Sequence, residues 1–419
     1  MSSLEAPKLS NDCFALPAGV DWTPVDDALA MLRDKLAPVV GTRVCGVGDA
    51  VGLILARDVI AVQSNPPEPN TAVDGYGFAH VALKGDGPYE LPLAPGRAAA
   101  GLRFEGRVAT GEALRILTGA ALPDGVDTVV LEEDVRTDGA AIAFNGPIKA
   151  GSNTRRAGED VVAGDLVLSA GRRVTPADAA LLSAVGVAEV CVFEALRLGV
   201  LSTGDELVEA GETAVAGQIY DANRPMLLAQ LRAWGIEAID LGRAPDDRGV
   251  LQNMLDGGAT TCDAILTSGG ASAGDEDHMS ALLRETGSLA MWRIALKPGR
   301  PLALGMWGGV PIFGLPGNPV AALVCSLVFA RPALNLLSGA GWTEPQGFMV
   351  PAGFEKRKKP GRREYLRARM RGGQVEVFKS EGSGRISGLS WAEGLVELPD
   401  GAQEITFGTP VRYIPFGQF

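Results

Sequence analysis

The chain has 419 residues, a formal net charge of −12 and a sequence pI near 4.9. That length exceeds what one hydrophobic core usually organises, so several domains are expected. The acidic surface disfavours nucleic acid and anionic membranes as partners, and a local basic site would have to meet any polyanion. With two histidines in the whole sequence, a His-rich zinc site is excluded.

The cysteines and the apolar segments predict a cytoplasmic protein. Its five cysteines are scattered without a CxxC pair, which suits a reducing compartment. The longest apolar run, VAALVCSLVFA at 320–330, is bounded by Pro319 and Arg331. It falls short of the roughly 20 residues that a membrane span needs. No signal-peptide pattern is present at the start, so no membrane partner is expected.

The N-terminal half combines two short helices with small β-rich modules. Thr23 as N-cap before Pro24 predicts a helix over about 24–37, and the same device at Thr175 predicts another over about 176–185. Between them, RVATG, ALRILTG and DTVVLEE are typical of strands. The stretch PEPNTAVDGYGFA is too irregular for a core strand, so a loop is predicted there, either a plain turn or a functional segment.

From residue 196 the pattern changes to alternating strands and helices. LRLGVLS, IEAIDLG, DAILTSGG and VPIFGLPG are apolar strands, and helical patterns such as RPMLLAQLRAWG follow. The alternation predicts a doubly wound, mainly parallel sheet over 196–332, with ligands at the carboxyl ends of the strands. QVEVFKS, GLVELP and TPVRYIP then predict a small C-terminal β-barrel or sandwich over about 345–419.

Three glycine-bearing loops follow strands of the predicted sheet and are expected to meet at one edge. Glycines let backbone N–H groups approach an oxyanion, and the N-terminus of a following helix adds partial positive charge, so a phosphate cradle is predicted. The alternative is that the loops are structural turns. The candidate substrate-binding residues of these loops are Ser202, Thr203, Gly204, Ser268, Gly269, Gly270, Pro316, Gly317 and Asn318.

The same edge is dense in carboxylates, which repel one another and any phosphate unless a cation lies between them. For two carboxylates about 4 Å apart near a protein surface, this repulsion is roughly 4 kcal/mol. Hard oxygen ligands beside phosphate favour Mg²⁺. The alternative is that these acids cap the helices that follow them. The acids concerned are Asp205, Glu206, Asp221, Asp246, Asp247, Asp275, Glu276 and Asp277.

Cationic residues also belong to this predicted site. The segment MWRIALKPGRP carries Arg293, Lys297 and Arg300, which could hold an oxyanion. Residues 355–371 contain nine Lys or Arg against two Glu, and they form either a solvated hairpin or a source of positive potential for a small polyanion. His80 and His278 are interpreted as ordinary residues rather than ligands.

Nine motifs occur together in a characteristic order: NTAVDGYGFA, RILTGAALP, RRAGEDVVAGD, LSTGDEL, GQIYDANRPML, SGGASAGDEDH, LKPGRP, GLPGNPVAA and PGRREYLR. Across nearly the whole chain they resemble the molybdopterin molybdenumtransferases, the bacterial MoeA proteins and the E domain of gephyrin. The resemblance implies insertion of molybdate into adenylylated molybdopterin with Mg²⁺ as cofactor and release of AMP. It also implies a homodimer with its site between subunits, and makes the molybdopterin adenylyltransferase and acceptor molybdoenzymes candidate partners.

The resemblance also implies a fold class and a domain plan: a multidomain α/β plus β protein. Residues 1–66 and 149–195 would form a discontinuous linker or dimerisation domain, and 67–148 a small β-rich domain. Residues 196–337 would form a doubly wound, molybdopterin-binding-like α/β domain. The remainder, 338–419, would form a C-terminal β-barrel.

Residue by residue, the resemblance assigns catalytic roles to Asp74, Glu206, Asp246, Asp277 and Lys297. Glu206, Asp246 and Asp277 would be the metal ligands. Thr118, Arg300, Arg362 and Ser383 would contact the substrate.

The sequence departs from the family pattern at several points: TAVDGYG replaces SAMDGYA, GASAG replaces GVSVG, and Arg300 replaces the second lysine of KPGKP. These exchanges leave the choice between molybdate and tungstate open. A tungstate-inserting paralogue and a non-catalytic scaffold of the same fold are the alternatives.

Overall fold

The computed structural model describes residues 22–269, 278–285, 290–299 and 301–419, with the side chains of 290–292 and 301 left aside. Its residues form two compact units. One comprises residues 43–192, and the other comprises residues 22–42 together with 193–419. Both units contain sheets and helices. The predicted fold class, α/β combined with β-rich modules, is confirmed.

The first helix, α1, spans Val25–Lys35 and packs its buried face, which includes Leu32, into the core of the α/β unit. Its N-cap position is Pro24 without a side-chain hydrogen bond, so the predicted cap by Thr23 was wrong. Thr23 instead forms a parallel bridge to Ile294, and its backbone N–H donates to the carbonyl of Arg293 at 2.9 Å. Sheet pairing therefore decides the conformation of Thr23.

The unit 43–192 is built on a six-stranded sheet in the order β7-β4-β6-β5-β9-β8. Neighbouring strands are antiparallel except β5 and β6, which run parallel. The elements here are β1 Thr42–Gly46, β2 Val59–Ile60, β3 Asn70–Thr71, β4 Gly75–Phe78, β5 Tyr89–Ala98, β6 Ala113–Ile116, β7 Thr128–Leu131, β8 Val135–Thr137, β9 Ala141–Phe144, β10 Thr154–Arg155, β11 Leu166–Leu168, α2 Pro176–Ala184 and β12 Glu189–Phe193.

Two local predictions in this unit were wrong. RVATG contributes only an isolated bridge at Arg107, whereas ALRILTG and DTVVLEE contain strands as predicted. The supposed loop PEPNTAVDGYGFA ends in strand β4, which is entirely buried between β6 and β7. A Cβ on Gly77 would lie 2.7 Å from Val126 Cγ1, so glycine permits this close packing. Because glycine has a low strand propensity, the sequence did not predict the strand.

Helix α2 begins as the sequence predicts. The hydroxyl of Thr175 accepts from the Asp178 backbone N–H at 3.2 Å, and the Asp178 carboxylate accepts from the Thr175 backbone N–H at 2.9 Å. Arg172 adds a bidentate pair to the same carboxylate. These bonds, led by the one from Arg172, hold the pKa of Asp178 at about 2.

The α/β domain has a six-stranded sheet in the order β16-β13-β17-β21-β20-β18. The first four strands are parallel, and β20 and β18 are antiparallel to their neighbours, so the sheet is mainly parallel as predicted. The elements are β13 Arg197–Thr203, β14 Leu207–Val208, β15 Ile219–Tyr220, α3 Asn223–Ala233, β16 Glu237–Ala244, α4 Arg248–Thr261, β17 Ala264–Ser268, α5 His278–Glu285, β18 Ala290–Arg293, β19 Leu296–Lys297, β20 Pro301–Trp307, β21 Val310–Leu315, α6 Pro319–Cys325 and α7 Arg331–Leu337.

A π-helical turn at Ser326–Ala330 joins α6 to α7 in one continuous helical segment. The Arg331 guanidinium lies 4.9 Å from the centre of the Trp234 ring, which accommodates its charge inside the fold. Pro319–Leu337 is 19 residues long and apolar enough to cross a membrane, but 89% of its apolar window is buried within the protein. That burial is typical of a core helix.

The C-terminal residues form a curved sheet in the order β19-β24-β26-β28-β22, with β25 paired to β24. Strand β19 lies between β18 and β20 in the chain, so the α/β domain contributes a strand to this sheet. The elements are β22 Phe348–Pro351, β23 Lys356–Lys358, β24 Arg363–Arg371, β25 Gln374–Val377, α8 Ser387–Trp391, β26 Gly394–Leu398, β27 Gln403–Ile405 and β28 Pro410–Pro415. All three strands predicted from QVEVFKS, GLVELP and TPVRYIP are present.

Candidate functional site

The glycine-bearing loops meet at the carboxyl edge of the parallel strands, as predicted. Gly269, with φ of +93°, approaches Thr203 so closely that a Cβ on it would lie 2.7 Å from the Thr203 carbonyl oxygen. The Gly269 N–H donates to the carbonyl of Leu315 at 3.3 Å, which ties the loop after β17 to the end of β21. Only glycine allows this contact at this backbone conformation.

Asn223 ties two of these loops together and was not singled out from the sequence. Its side-chain nitrogen donates to Ser268 Oγ at 2.6 Å and to the carbonyl of Gly317 at 2.7 Å. The residue is 6% exposed and opens helix α3. The signal available beforehand was the motif GQIYDANRPML, where a polar residue precedes a helix next to the glycine loops.

Several buried oxygens at this edge have no hydrogen-bond partner within the described residues. They are the hydroxyls of Ser202 and Thr267 and the side-chain oxygens of Asn223 and Asn318. Because a buried acceptor without a donor costs about 1–3 kcal/mol, such groups are usually satisfied by water or a ligand. The edge therefore offers hydrogen-bond acceptors to an incoming polar molecule.

Two of the predicted carboxylates interlock beside the loops. The Asp246 carboxylate accepts from the Asp205 backbone N–H at 3.2 Å, and the Asp205 carboxylate accepts from the Asp246 N–H at 3.0 Å. Glu206 follows in sequence and folds its carboxylate over Gly204, whose φ is +137°. All three acids are exposed and present oxygen donors at one edge.

Two other acids of the predicted set, Asp247 and Asp221, are structural. Asp247 caps helix α4 by accepting from the Val250 N–H at 2.9 Å. Asp221 is buried and pairs with Arg224, which also binds Asp240 and Glu209. The prediction of helix capping therefore holds for Asp247.

His80 fits the ordinary role predicted for it. Its ring nitrogen Nε2 lies 2.9 Å from the carbonyl oxygen of Ile148, so the side chain is part of a structural contact within the unit 43–192.

Asp74 and Thr118, both in the unit 43–192, form a tight pair. The Thr118 hydroxyl and the Thr118 backbone N–H each donate to Asp74 Oδ1 at 2.6 Å. These two bonds, the hydroxyl's first, lower the pKa of the Asp74 carboxyl. The structure thus brings together two predicted site residues that are 44 positions apart and keeps the carboxylate charged.

Lys297 belongs to a cluster of four charged side chains with Lys356, Glu364 and Glu381. Strand β19 carries Lys297, and its pairing with β24 brings it to Glu364. The cluster lies in a cavity of about 260 Å³ that also touches Val320, two residues beyond Asn318. Lys297 thus shares this cavity with the first turn of helix α6.

The remaining predicted residues are placed as follows. Ser383 lies in the loop after Glu381 and is partly buried, and Arg362 precedes β24 and is partly buried. Pro316 is buried directly after β21. Five further predicted residues, Gly270, Asp275, Glu276, Asp277 and Arg300, lie outside the described residues.

The predicted metal ligands lie only partly within the described residues. Within the described ranges, no group of three or more His, Cys, Asp and Glu is arranged to hold a metal ion. Asp277, the third predicted ligand, falls outside those ranges. The exposed carboxylates of Glu206 and Asp246 are the oxygen-donor type that Mg²⁺ prefers, so these two predicted ligands are chemically compatible with the ion.

Comparison with known protein families finds a match in three parts of the chain. Residues 23–186 match the MoeA N-terminal region (domains I and II), 199–336 a probable molybdopterin-binding domain, and 350–416 the MoeA C-terminal region (domain IV). A molybdopterin biosynthesis MoeA protein from Pyrococcus horikoshii has the same fold, with a TM-score of 0.82 and 27% identity over 94% of this chain and all of that one. These matches define a MoeA-type protein built around a molybdopterin-binding α/β domain.

Relatives that match over nearly their whole length show which family the chain belongs to. A molybdopterin molybdenumtransferase from Haemophilus influenzae is 35% identical over 94% of this chain and 98% of its own length. Molybdopterin molybdenumtransferase 2 from Mycobacterium tuberculosis is 35% identical over 87% and 92% of the two chains. The chain belongs to the molybdopterin molybdenumtransferase family, whose members are transferases of molybdenum-cofactor biosynthesis, and the resemblance found in the sequence is confirmed.

Proposed function

We propose that this chain inserts molybdate into adenylylated molybdopterin in a Mg²⁺-dependent reaction that releases AMP. The observation that carries the proposal is the edge of the α/β sheet, where the glycine loops, the buried acceptors and the interlocked carboxylates meet. Such an edge suits a ligand that carries both a polar ring system and phosphate groups.

The carboxylates would hold the cation. Glu206 and Asp246, together with Asp277, are the proposed ligands, and Asp205 orients Asp246 through their reciprocal hydrogen bonds. When bound, Mg²⁺ would offset the charge that builds on the phosphates as the phosphoanhydride bond breaks. Asp74, which accepts two hydrogen bonds from Thr118, is proposed as a catalytic residue carried by the unit 43–192.

The backbone and the asparagines would position the organic part of the substrate. The N–H groups at Gly317 and the start of helix α6 are the proposed phosphate contacts. Asn223 holds the loops after β17 and β21 at a fixed separation, so binding requires little rearrangement. The unpartnered oxygens of Asn223 and Asn318 would accept from ring N–H groups.

The assembly and location follow the family expectation and are likewise proposals. We propose a cytoplasmic homodimer that receives its substrate from a molybdopterin adenylyltransferase and delivers the product to molybdoenzymes. Free thiols at Cys45, Cys191, Cys262 and Cys325 suit a reducing compartment.

The test is AMP release by the purified protein given adenylylated molybdopterin, with and without Mg²⁺ and with and without molybdate. A Glu206→Gln variant is measured beside Glu209→Gln as a control. The Glu209 carboxylate is not a proposed metal ligand and pairs with the buried Arg224. We expect AMP release that requires both ions and that falls at least about 100-fold in Glu206→Gln. Binding of the substrate without molybdate-dependent AMP release would overturn the proposal, and tungstate in place of molybdate would then be tested.

A further inference from the structure

The surroundings of Asp74 are set by the strands on either side of β4. Tyr76 pairs with Arg115 on β6 and with Val130 on β7. Because paired residues of neighbouring strands point to the same side, Tyr76 and Arg115 lie side by side on one face of the sheet. Asp74 directly precedes β4, and Glu132 directly follows the antiparallel β7. These four side chains therefore come together at one end of the strands.

Asp74 is held at its side chain and at its main chain. Thr118 donates twice to the carboxylate, and the carbonyl of Asp74 accepts from the Glu132 N–H at 3.1 Å. The following residue allows little adjustment, because a Cβ on Gly75 would lie 1.9 Å from the carbonyl oxygen of Val130. The placement of Asp74 therefore depends on where Thr118 and Glu132 lie.

Glu132 is in turn held by Arg115. Its carboxylate forms an ion pair with the Arg115 guanidinium, which lies 5.0 Å from the centre of the Tyr76 ring. Tyr76 is 7% exposed, whereas the side chains of Arg115 and Glu132 are 26% and 50% exposed. The ion pair is thus anchored on a core residue at its arginine end and reaches the surface at Glu132.

The charge of Arg115 also acts on Asp74 directly. The two bonds from Thr118 and then the charge of Arg115 lower the pKa of the Asp74 carboxyl. A short turn of three exposed acids, Glu132–Asp134, begins beside the Asp74 main chain. Like charges so close together oppose ionisation, and Arg115 offsets this repulsion. An apolar side chain could fill the same space but would supply no charge, so packing alone does not account for Arg115.

We propose that Arg115 and Glu132 are a positioning pair for Asp74. Arg115, anchored on the Tyr76 ring, holds Glu132, and the Glu132 N–H fixes the main chain of Asp74 while Thr118 fixes its carboxylate. Neither member of the pair contacts the substrate in this role. The pair rests on the proposed function in one respect, which is that Asp74 is a catalytic residue of the reaction that releases AMP.

The first measurement is hydrogen exchange of the Glu132 amide in the full chain, followed by NMR, because it reports the bond to the Asp74 carbonyl without any substrate. Arg115→Gln is compared with Arg172→Gln, which removes the ion pair to Asp178 in the same unit. Exchange at Glu132 is expected to be about tenfold faster in Arg115→Gln than in wild type and unchanged in Arg172→Gln. Arg115→Lys, which keeps the charge, is expected to restore part of the protection.

The second measurement is AMP release by the same proteins, each checked for folding by circular dichroism. Because a misplaced Asp74 weakens the transition state rather than substrate binding, kcat is expected to fall about tenfold in Arg115→Gln while KM changes less than about twofold. Glu132→Gln is expected to lose about threefold in kcat, and the double variant to be no slower than Arg115→Gln, because both residues act through one link. Arg172→Gln is expected to keep the wild-type kcat and KM.

The positioning role is refuted if exchange at Glu132 is unchanged in Arg115→Gln, whatever the activity. It is refuted equally if exchange quickens while kcat keeps its wild-type value, because the pair would then be structural only, or if the two single losses in kcat add in the double variant. Failure of the proposed function is a different result. Wild type would then release no molybdate-dependent AMP, while faster exchange in Arg115→Gln would still establish the link from Arg115 through Glu132 to Asp74.

Discussion

Asn223 and Ser268 join helix α3 to the end of β17 through a buried hydrogen bond of 2.6 Å. The same amide nitrogen reaches the carbonyl of Gly317, so one side chain sets the spacing of two loops. Because both partners lie at the carboxyl edge of the sheet, this spacing defines the width of the proposed substrate cradle.

Replacing Asn223 with Ala is expected to loosen the cradle. Loss of two buried hydrogen bonds leaves Ser268 and Gly317 without a donor, which costs about 1–3 kcal/mol of folding free energy. We expect KM for the pterin substrate to rise about tenfold, with a smaller effect on kcat. The control is Asn253→Ala on the exposed face of helix α4. Equal KM values in the two variants would contradict a positioning role for Asn223.

The pair Asp74 and Thr118 gives a prediction about a pKa. Thr118→Val removes the hydroxyl that donates to Asp74 but leaves the backbone N–H, so the pKa of the Asp74 carboxyl is expected to rise toward its usual value. Thr118→Ser, which keeps the hydroxyl, is expected to leave this pKa low. Carbon-13 NMR titration of the carboxyl measures both. A Thr118→Val protein with an unchanged Asp74 pKa would show that the hydroxyl contributes nothing.

Neighbouring acids at the start of helix α4 are expected to behave differently. Asp246→Asn removes a proposed Mg²⁺ ligand and is expected to raise the Mg²⁺ concentration for half-maximal AMP release about tenfold. Asp247→Ala removes a helix cap and is expected to cost about 1 kcal/mol of stability with Mg²⁺ dependence unchanged. Chelation by EDTA should abolish wild-type turnover. A reversed pattern between the two variants would place the metal elsewhere.

The Asp178 carboxylate gives a prediction about stability and pH. The pKa of Asp178 in the folded protein is about 2, below its usual 3.8. The ionised carboxylate therefore stabilises the folded state more than the protonated carboxyl does. That stabilisation is fully present above about pH 4 and is lost as pH falls toward about 2. Asp178→Asn is therefore expected to be less stable than wild type by about 1–2 kcal/mol at pH 7.

Urea unfolding of wild type and Asp178→Asn at pH 7 and pH 3 checks the linkage. The deficit of the variant is expected to shrink by about half at the lower pH, because part of the carboxylate's contribution is then titrated away. The surface variant Asp138→Asn, whose carboxylate accepts two backbone N–H groups in an exposed turn, serves as a comparison. A deficit that stays constant with pH would assign the loss to packing instead.

Local signals in the sequence were sufficient where short-range chemistry decides the structure. Thr175 and Asp178 lie three residues apart, and their capping box formed as predicted. The same reasoning failed at Thr23, where a bridge to Ile294 overrides the cap. It failed again at β4, because Gly75 and Gly77 lack strand propensity yet fit a buried ladder.

The sequence by itself determined the alternating α/β pattern, the glycine loops at strand ends and the family, because each depends on residue order or short spacing. Tertiary structure decided which charged groups are structural and which remain at the site. Asp221 is committed to the buried Arg224, whereas Asp205 and Asp246 stay exposed at the loop edge. Lys297 meets Glu381 across 84 residues, a contact between distant parts of the chain that no local pattern encodes.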